Sequence, residues 1–90
     1  MVTVQAVEPL EGYRLRLRFS DGLTGDVDLT ARLWGPMFEA LRDVAKFRRV
    51  RVSRDAGTIV WPNGADIAPE TLHLWAIESQ QLNHGKQQPA

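Results

Sequence analysis

Apolar and polar residues alternate along the first third of the chain, the pattern of strands that bury one face. Val2, Val4 and Ala6 alternate with polar residues and predict a first strand that ends at Pro9 and Gly12. The second strand has the clearest alternation, because single arginines separate its apolar residues. Its two faces carry Tyr13, Leu15, Leu17 and Phe19 on one side and Arg14, Arg16 and Arg18 on the other.

A Ser-Asp-Gly sequence at residues 20–22 predicts a three-residue hairpin loop, followed by a third strand over residues 23–29. A loop of this length aligns the apolar residues of the two strands. It also pairs Arg16 with Asp26, Arg14 with Asp28 and Arg18 with Thr24. We expect ion pairs in the first two pairings. Arg18 has no carboxylate opposite it and is the arginine that a partner would contact.

Residues 29–47 change to a helical spacing of apolar residues. The residues with this spacing are Leu33, Met37, Phe38 and Leu41. They predict one short helix beginning at Gly35-Pro36, since proline is tolerated in a first helical turn. Val44 and Phe47 then lead the chain back to the core.

A second hairpin is predicted around residues 55–57, which again end in glycine. A three-residue loop places Val52 opposite Val60 and Arg51 opposite Trp61, where the arginine could stack on the indole. The sequence Pro-Asn-Gly at residues 62–64 predicts a turn after this strand.

The last helix is predicted to begin at Pro69 and to end near Gln81, with Glu70 favourable near its N-terminus. The order β-β-β-α-β-β-α indicates an α+β domain in residues 1–79. Its antiparallel sheet comprises two hairpin-like units plus the N-terminal strand, packed against a C-terminal helix and one short middle helix. Residues 80–90 are predicted to be a polar, flexible tail.

Composition fits a single small domain. The chain has 90 residues, 43% hydrophobic residues and no cysteine, which excludes disulfides and cysteine-based metal sites. No apolar run is long enough to cross a membrane, and we expect a cytoplasmic protein. The net charge is zero, with 11 basic and 11 acidic residues. The basic residues are nevertheless concentrated around segment 48–54, which could hold an anionic partner.

The residues required for common catalytic chemistry are missing from the sequence. The two histidines, His73 and His84, lack a second ligand at metal-binding spacing. No glycine-rich phosphate loop occurs, and no serine has a histidine in a recognisable arrangement. We therefore expect no catalytic residue, no metal and no cofactor, and we expect that the protein is not an enzyme.

Three surfaces are candidates for binding a partner, and each has a purely structural alternative. The arginine strand could instead be neutralised by Asp26 and Asp28. Segment 48–54 could be a charged edge strand that resists aggregation. The turn after Val60 could serve the fold alone, with Asp66 capping the last helix. The candidate contact residues are Arg14, Arg16, Arg18, Arg49, Arg51, Trp61, Asn63 and Asp66.

Several of these segments together resemble the bacterial domain-of-unknown-function family 2442. The resemblance rests on the Asp-Gly hairpin tip at 21–22, the Asp-Val-Asp-Leu sequence at 26–29, the Trp-Pro-Asn-Gly-Ala-Asp block at 61–66 and the Pro-Glu-Thr-Leu helix start at 69–72. It covers roughly residues 2–76. Ala68 departs from the family pattern, in which a serine often precedes the Pro-Glu. The resemblance implies a small α+β domain without known catalytic residues, encoded beside another short protein in a toxin–antitoxin-type pair.

Three functions follow as hypotheses. The favoured one is a non-enzymatic protein-interaction domain, the antitoxin-like component of a two-gene module. The second is a nucleic-acid-binding accessory domain that uses segment 48–54. The third is a small ligand-binding or enzymatic domain with its site at a dimer interface, which leaves a homo-oligomer open.

Overall fold

The strands and helices follow the predicted order. A computed structural model describes the backbone of residues 1–87 and the side chains through Gln81. The elements are β1 (Val4–Pro9), β2 (Arg14–Phe19), β3 (Thr24–Asp28), α1 (Val44–Phe47), β4 (Arg51–Ser53), β5 (Thr58–Val60) and α2 (Pro69–Gln87). The strands form two antiparallel sheets, β1-β2-β3 and β4-β5. The α+β class is confirmed.

The first hairpin has the register that the sequence predicts. Leu15 faces Val27, Leu17 faces Gly25 and Arg18 faces Thr24 across β2 and β3. The alternation of apolar and charged residues therefore buries the apolar face and leaves the arginines exposed.

The first strand differs from its prediction because it contains a bulge. The pairing of β1 with β2 shifts between Val4 and Ala6. After the bulge, Val7 faces Leu17 on the apolar side, and Ala6 faces Arg18 on the arginine side. The prediction that Ala6 shares the face of Val4 is wrong, because one extra residue reverses the direction of every later side chain.

The middle of the chain contains the predicted short helix, α1, but it begins later than Gly35-Pro36 and follows two 3-10 turns. The 3-10 turns Thr30–Arg32 and Glu39–Arg42 precede α1, which begins after Asp43. Asp43 is the N-cap of α1, and its carboxylate accepts a hydrogen bond from the Ala45 N–H at 3.0 Å. Leu33, Leu41 and Phe47 are nevertheless buried without a continuous helix, whereas Met37, which shares the predicted spacing, is 43% exposed.

The second hairpin is shifted by one residue from its predicted register. Arg51 faces Val60 and Val52 faces Ile59. Four residues, 54–57, separate the paired strands, and the Gly57 N–H donates to the Ser53 carbonyl at 2.8 Å. The predicted pairing of Arg51 with Trp61 is therefore wrong, and the only cation–π contact among the described residues joins Arg32 to Trp75.

Helix α2 covers the first sheet most closely at Gly25. A Cβ atom at Gly25 would lie only 2.9 Å from the Cβ of Ala76, so the glycine allows the helix to approach β3. The Gln80 side-chain amide also donates to the Thr24 carbonyl at 2.6 Å. Leu72 and Ala76 are fully buried on this helix face.

The last helix is longer than the sequence predicts. It continues past Gln81 to Gln87. Glutamine and leucine favour helices, and no proline occurs between Pro69 and Pro89. The helix thus includes much of the segment predicted as a tail, and residues 88–90 of that segment lie outside the described residues.

The N-terminal residues join the two sheets. The Thr3 N–H donates to the Ser20 hydroxyl at 3.0 Å, and the Ser20 N–H donates to the Thr3 carbonyl at 2.9 Å. The next residue contacts the other hairpin, because the Val4 N–H donates to the Gly57 carbonyl at 2.9 Å. The tips of both hairpins are therefore attached to the same short segment.

Candidate functional site

The Trp61–Ala65 turn is a tight hairpin-like turn held by its own hydrogen bonds. The Trp61 N–H donates to the Ala65 carbonyl, and the Gly64 N–H donates to the Trp61 carbonyl, both at 2.9 Å. Beyond the turn, Asp66 pairs with Val60 in an isolated bridge. The turn is therefore rigid, as its Pro-Asn-Gly sequence predicts.

Trp61 lies in the core and not on the surface. Only 1% of the residue is exposed, and its indole N–H donates to the Phe47 carbonyl at 2.9 Å. Its ring also packs edge-to-face with Phe38, at 6.1 Å between ring centroids. Trp61 cannot contact a partner in this conformation, so its predicted role changes to that of a residue that positions the segments around it.

Asn63 positions the loop that precedes the second 3-10 turn. Its side-chain amide donates to the Met37 carbonyl at 2.9 Å, and its side-chain oxygen accepts from the Ala65 N–H at 3.0 Å. Both polar atoms of the amide are thus used within the fold. The orientation of Met37 depends on this turn.

The loop held in this way borders an exposed apolar groove against α2. The groove has a volume of about 480 Å³, and its residues are Arg32, Trp34, Gly35, Pro36, Met37, Phe38 and Trp75. Trp34 is 70% exposed and Met37 43% exposed. The guanidinium of Arg32 lies 3.8 Å from the centre of the Trp75 ring. We call this surface the apolar groove.

Asp66 lies beside the inner side of the apolar groove. A smaller adjoining cavity is lined by Asp66 and Ile67 together with Arg32, Phe38 and Trp75 of the groove. The predicted capping role for Asp66 is not seen among the described residues, because the N–H groups of Thr71 and Leu72 bond to the Ala68 carbonyl. Of the three predicted residues in the turn, Asn63 and Asp66 adjoin this surface, and Trp61 supports it from below.

One aspartate offsets part of the positive charge of the arginine strand. Arg16 donates to Asp26 at 2.9 Å, and Arg14 approaches the same carboxylate at 3.4 Å. The hydrogen bond and charge of Asp26 hold the pKa of Arg16 above its ordinary value. The structural alternative predicted for this surface therefore fits Arg14 and Arg16.

The predicted ion pair between Arg14 and Asp28 does not form. Asp28 instead accepts hydrogen bonds from the backbone N–H and the hydroxyl of Thr30, at 2.9 and 2.6 Å. These bonds lower the pKa of the Asp28 carboxyl below its ordinary value. Arg14 and Asp28 lie opposite each other in the register of β2 and β3, but the Asp28 carboxylate is bonded to Thr30 at the start of the next 3-10 turn.

Arg18 lies in a shallow groove together with Arg54, a residue of the second hairpin. This arginine groove has a volume of about 500 Å³ and is lined by Thr3, Val4, Gln5, Arg18, Val52, Arg54 and Gly57. Neither arginine has an ion-pair partner among the residues with described side chains. The structure thus brings together one residue from each of the two basic segments identified in the sequence.

The remaining basic residues of the second segment have different surroundings. Arg48 donates to the Leu10 carbonyl at 3.0 Å and so serves the fold. Arg51 is exposed on β4. Arg49 lines a second cleft, of about 270 Å³, whose residues are Ala40, Leu41, Lys46, Arg49, Pro62 and Asn63. We call this the basic cleft.

Sequence reasoning missed two tryptophans of the apolar groove, the exposed Trp34 and the half-buried Trp75. Trp34 was not singled out because it lies outside the helical spacing of Leu33, Met37 and Phe38. That departure is itself a usable signal, because a tryptophan off the apolar face and next to Gly35-Pro36 is expected to be exposed on a loop. Trp75 lies on α2 and is half-buried, so part of its ring is available to the groove.

Residues 4–78 match the family model described as "Protein of unknown function (DUF2442)". The chain belongs to the DUF2442 family. The family match covers both hairpins and the tight turn after β5, together with the start of α2. No curated protein matches the chain.

A solved structure is similar to this DUF2442 chain over most of its length. It is the "Crystal Structure of Putative DNA Binding Protein NE0471 from Nitrosomonas europaea ATCC 19718", with 28% sequence identity and a TM-score of 0.78. The match covers 90% of this chain and 52% of that one. The DUF2442 chain thus spans about half the length of the protein it matches.

The part of the chain that the structure describes contains neither a membrane-spanning helix nor a cluster of metal-binding side chains. No described helix is both long and apolar enough to cross a membrane. No group of three or more histidine, aspartate or glutamate residues is placed to hold a metal ion within the described residues.

Proposed function

We propose that this domain is a non-enzymatic interaction module that binds a partner protein through the apolar groove. The observation that carries the proposal is the 70% exposure of Trp34 within a groove that also contains Met37 and Trp75. Tryptophan and methionine are enriched at protein interfaces, and contiguous exposed apolar surface commonly marks such a site.

The rim of the groove indicates the chemistry of the partner. Arg32 stacks on Trp75, and its guanidinium has no carboxylate within ion-pair distance among the residues with described side chains. A partner segment with apolar side chains and a carboxylate would fill the groove and pair with this arginine. We therefore expect a segment that combines aromatic or aliphatic residues with aspartate or glutamate.

The rigid support of the groove favours tight recognition. Asn63 holds the Met37 carbonyl, and the buried Trp61 packs against Phe38 at the base of the same loop. A surface fixed in advance loses less conformational entropy when a partner binds. This role explains the Trp-Pro-Asn-Gly-Ala-Asp block as a scaffold for the groove.

A peptide-display selection tests the proposal, with the wild-type domain as bait and Trp34→Ala as counter-selection. Selected peptides are expected to carry apolar residues and a carboxylate, and to bind Trp34→Ala at least about 30-fold more weakly, as for an interface hot spot. Val44→Ala is the matched control, because Val44 is 43% exposed, like Met37, but lies outside the groove. Peptides that bind Trp34→Ala as well as the wild type would contradict the proposal.

The finer proposal is that the partner is the product of an adjacent gene and that the domain acts as its antitoxin-like half in the cytoplasm. The gene arrangement that the family resemblance implies is the reason for this proposal. Co-expression should give a complex in size-exclusion chromatography that Trp34→Ala dissociates. Two proteins that elute independently would refute it. A dimer of this chain alone, abolished by Trp34→Ala, would show that the groove pairs two copies instead.

A second candidate function is nucleic-acid binding through the arginine groove. It is favoured by the joint position of Arg18 and Arg54, and by the name of the similar Nitrosomonas europaea protein. Binding to a DNA duplex would weaken with salt, because each phosphate contact releases counterions. Arg18→Gln with Arg54→Gln should remove the binding and Arg14→Gln should not. Absence of binding by the wild type at about 50 mM salt would exclude this function.

A further inference from the structure

The basic cleft is a concave site with two cations and no acidic residue in its lining. Lys46 and Arg49 line it together with the side chain of Asn63. No ion pair of Lys46 or Arg49 exists among the residues with described side chains. The nearest acidic residue in the sequence, Asp43, is occupied as the N-cap of α1. The cleft therefore concentrates positive charge without an internal counter-charge.

The local backbone brings the two cations together. Arg49 follows Lys46 by three residues at the end of α1, and the Arg49 N–H donates to the Lys46 carbonyl at 3.1 Å. Residues at this spacing are neighbours on a helical turn, and like charges there repel each other. An anion between the two side chains would remove that repulsion and form charge-assisted hydrogen bonds with both.

The opposite wall offers a fixed hydrogen-bond donor. The Asn63 amide nitrogen carries two N–H groups, and one of them is used by the Met37 carbonyl. Its side-chain oxygen is held by the Ala65 N–H, so the amide cannot easily rotate away. A fixed donor opposite two flexible cations suits a small anion with several oxygen atoms that accept hydrogen bonds.

We propose that the basic cleft binds a phosphate group, either as inorganic phosphate or as a small phosphomonoester. A phosphate supplies enough acceptor oxygens for Lys46, Arg49 and Asn63 at once. The cleft volume of about 270 Å³ accommodates a phosphate with a small attached group. Its apolar walls, Leu41 and Pro62, lie where that attached group would contact the protein. This proposal is independent of the protein partner proposed for the apolar groove.

A nuclear magnetic resonance titration of the full chain tests the proposal. The probes are inorganic phosphate, glycerol phosphate and a short DNA duplex, each compared with sodium chloride at matched ionic strength. Amide signals of residues 40–49 and 62–64 should shift saturably with the first two probes and should not shift with chloride. A stronger effect of glycerol phosphate would identify the phosphomonoester as the ligand, and an equal effect would identify free phosphate.

Variants separate the cleft from general surface charge. Lys46→Gln and Arg49→Gln should each weaken phosphate binding about tenfold, because each removes one charge-assisted hydrogen bond. Arg51→Gln is the matched control, since Arg51 is an exposed arginine outside the cleft. All three positions are exposed, so the fold should be retained, and circular dichroism checks this.

Three results would overturn the proposal. The first is an equal response to chloride and phosphate, which would indicate general screening. The second is an equal loss of phosphate binding in Arg51→Gln. The third is a response of the cleft to the DNA duplex without a response to either small phosphate, which would assign the cleft to nucleic acid. None of these results would depend on whether the apolar groove binds a protein.

Discussion

The turn at Phe19–Leu23 and the turn at Trp61–Ala65 have the same backbone arrangement. In each, the first residue donates to the carbonyl of the fifth, at 2.8 and 2.9 Å, and the glycine in fourth position donates back to the first, at 3.0 and 2.9 Å. In each, the side-chain oxygen of the third residue accepts from the N–H of the fifth at 3.0 Å. Both glycines have a φ of +91°.

The two turns differ in what the third residue contacts outside the turn. Asp21 accepts from the imidazole of His73 on α2 at 2.8 Å, whereas the amide of Asn63 donates to the Met37 carbonyl at 2.9 Å. A carboxylate suits the imidazole and could not donate to a carbonyl. One local backbone motif therefore fastens two different parts of the fold, and the choice of aspartate or asparagine follows from the partner.

The largest effect is expected at Trp61, which is as buried as Phe19 in the other turn but also makes a side-chain hydrogen bond. Trp61→Ala should lower the free energy of unfolding by about 3–5 kcal/mol, because it empties a buried site. Trp61→Phe should lower it by about 0.5–1.5 kcal/mol, because the Phe47 carbonyl loses the indole hydrogen bond and keeps only the Val50 N–H at 3.3 Å. Urea unfolding followed by circular dichroism measures both. A loss for Trp61→Phe below the error of the measurement would contradict the proposed use of the indole N–H.

The glycines test whether the two backbones are truly equivalent. Gly22→Ala and Gly64→Ala should each cost about 1–2 kcal/mol, because both require a left-handed conformation. A Cβ at Gly64 would lie 3.5 Å from the methyl carbon of Met37, an ordinary contact, and a Cβ at Gly22 would meet nothing within 4 Å. Similar shifts in the urea midpoint are therefore expected. Different shifts would show that the surroundings and not the backbone decide the cost.

Exchanging the third residues tests the match between side chain and partner. Asn63→Asp should cost about 0.5–1.5 kcal/mol, because the Met37 carbonyl loses its donor. Asp21→Asn should cost less, since an amide can accept from the Leu23 N–H and still face His73. Urea midpoints at neutral pH compare the two variants. A greater loss in Asp21→Asn would refute the assignment.

The smallest expected change in stability is the one caused by protonating Asp21 at low pH. The hydrogen bond from the Leu23 N–H, aided by His73, lowers the pKa of this carboxyl below its ordinary value of 3.8. Because folding lowers this pKa, the ionised carboxylate stabilises the fold at pH values above its ordinary pKa. This stabilisation is lost as the pH falls through the lowered pKa. The difference in urea midpoint between the wild type and Asp21→Asn should therefore narrow below pH 3.8. A difference in urea midpoint that does not change with pH would show that the Asp21 carboxylate does not cause it.

The sequence was most informative where one rule determined the structure. The register of β2 and β3 followed from matching apolar faces across a loop of known length, and Arg16 met Asp26 as a result. The second hairpin failed the same rule because the loop before Thr58 has four residues, and the short strand left too few apolar residues to reveal the shift. The bulge between Val4 and Ala6 and the hydrogen bonds of Asp28 to Thr30 changed two further predictions, and no periodicity encodes them.

The sequence identified the part of the chain that lies at the candidate site, but not most of the residues that form its surface. The Trp61–Asp66 block stood out from its sequence, but Trp61 supports the surface instead of forming it. The exposed Trp34 and the half-buried Trp75 come from distant segments, and only the folded chain brings them together. The same holds for Lys46 and Asn63, whose common cleft depends on the turn after β5.

The contacts of Thr3 and Val4 with both hairpin tips affect how the chain folds during synthesis. The Val4 N–H finds its partner, the Gly57 carbonyl, only after the second hairpin has been synthesised. Contacts between residues so far apart in sequence slow folding, because a long segment must be ordered before they form. The attachment of β1 to the second hairpin therefore forms late in the folding of the domain.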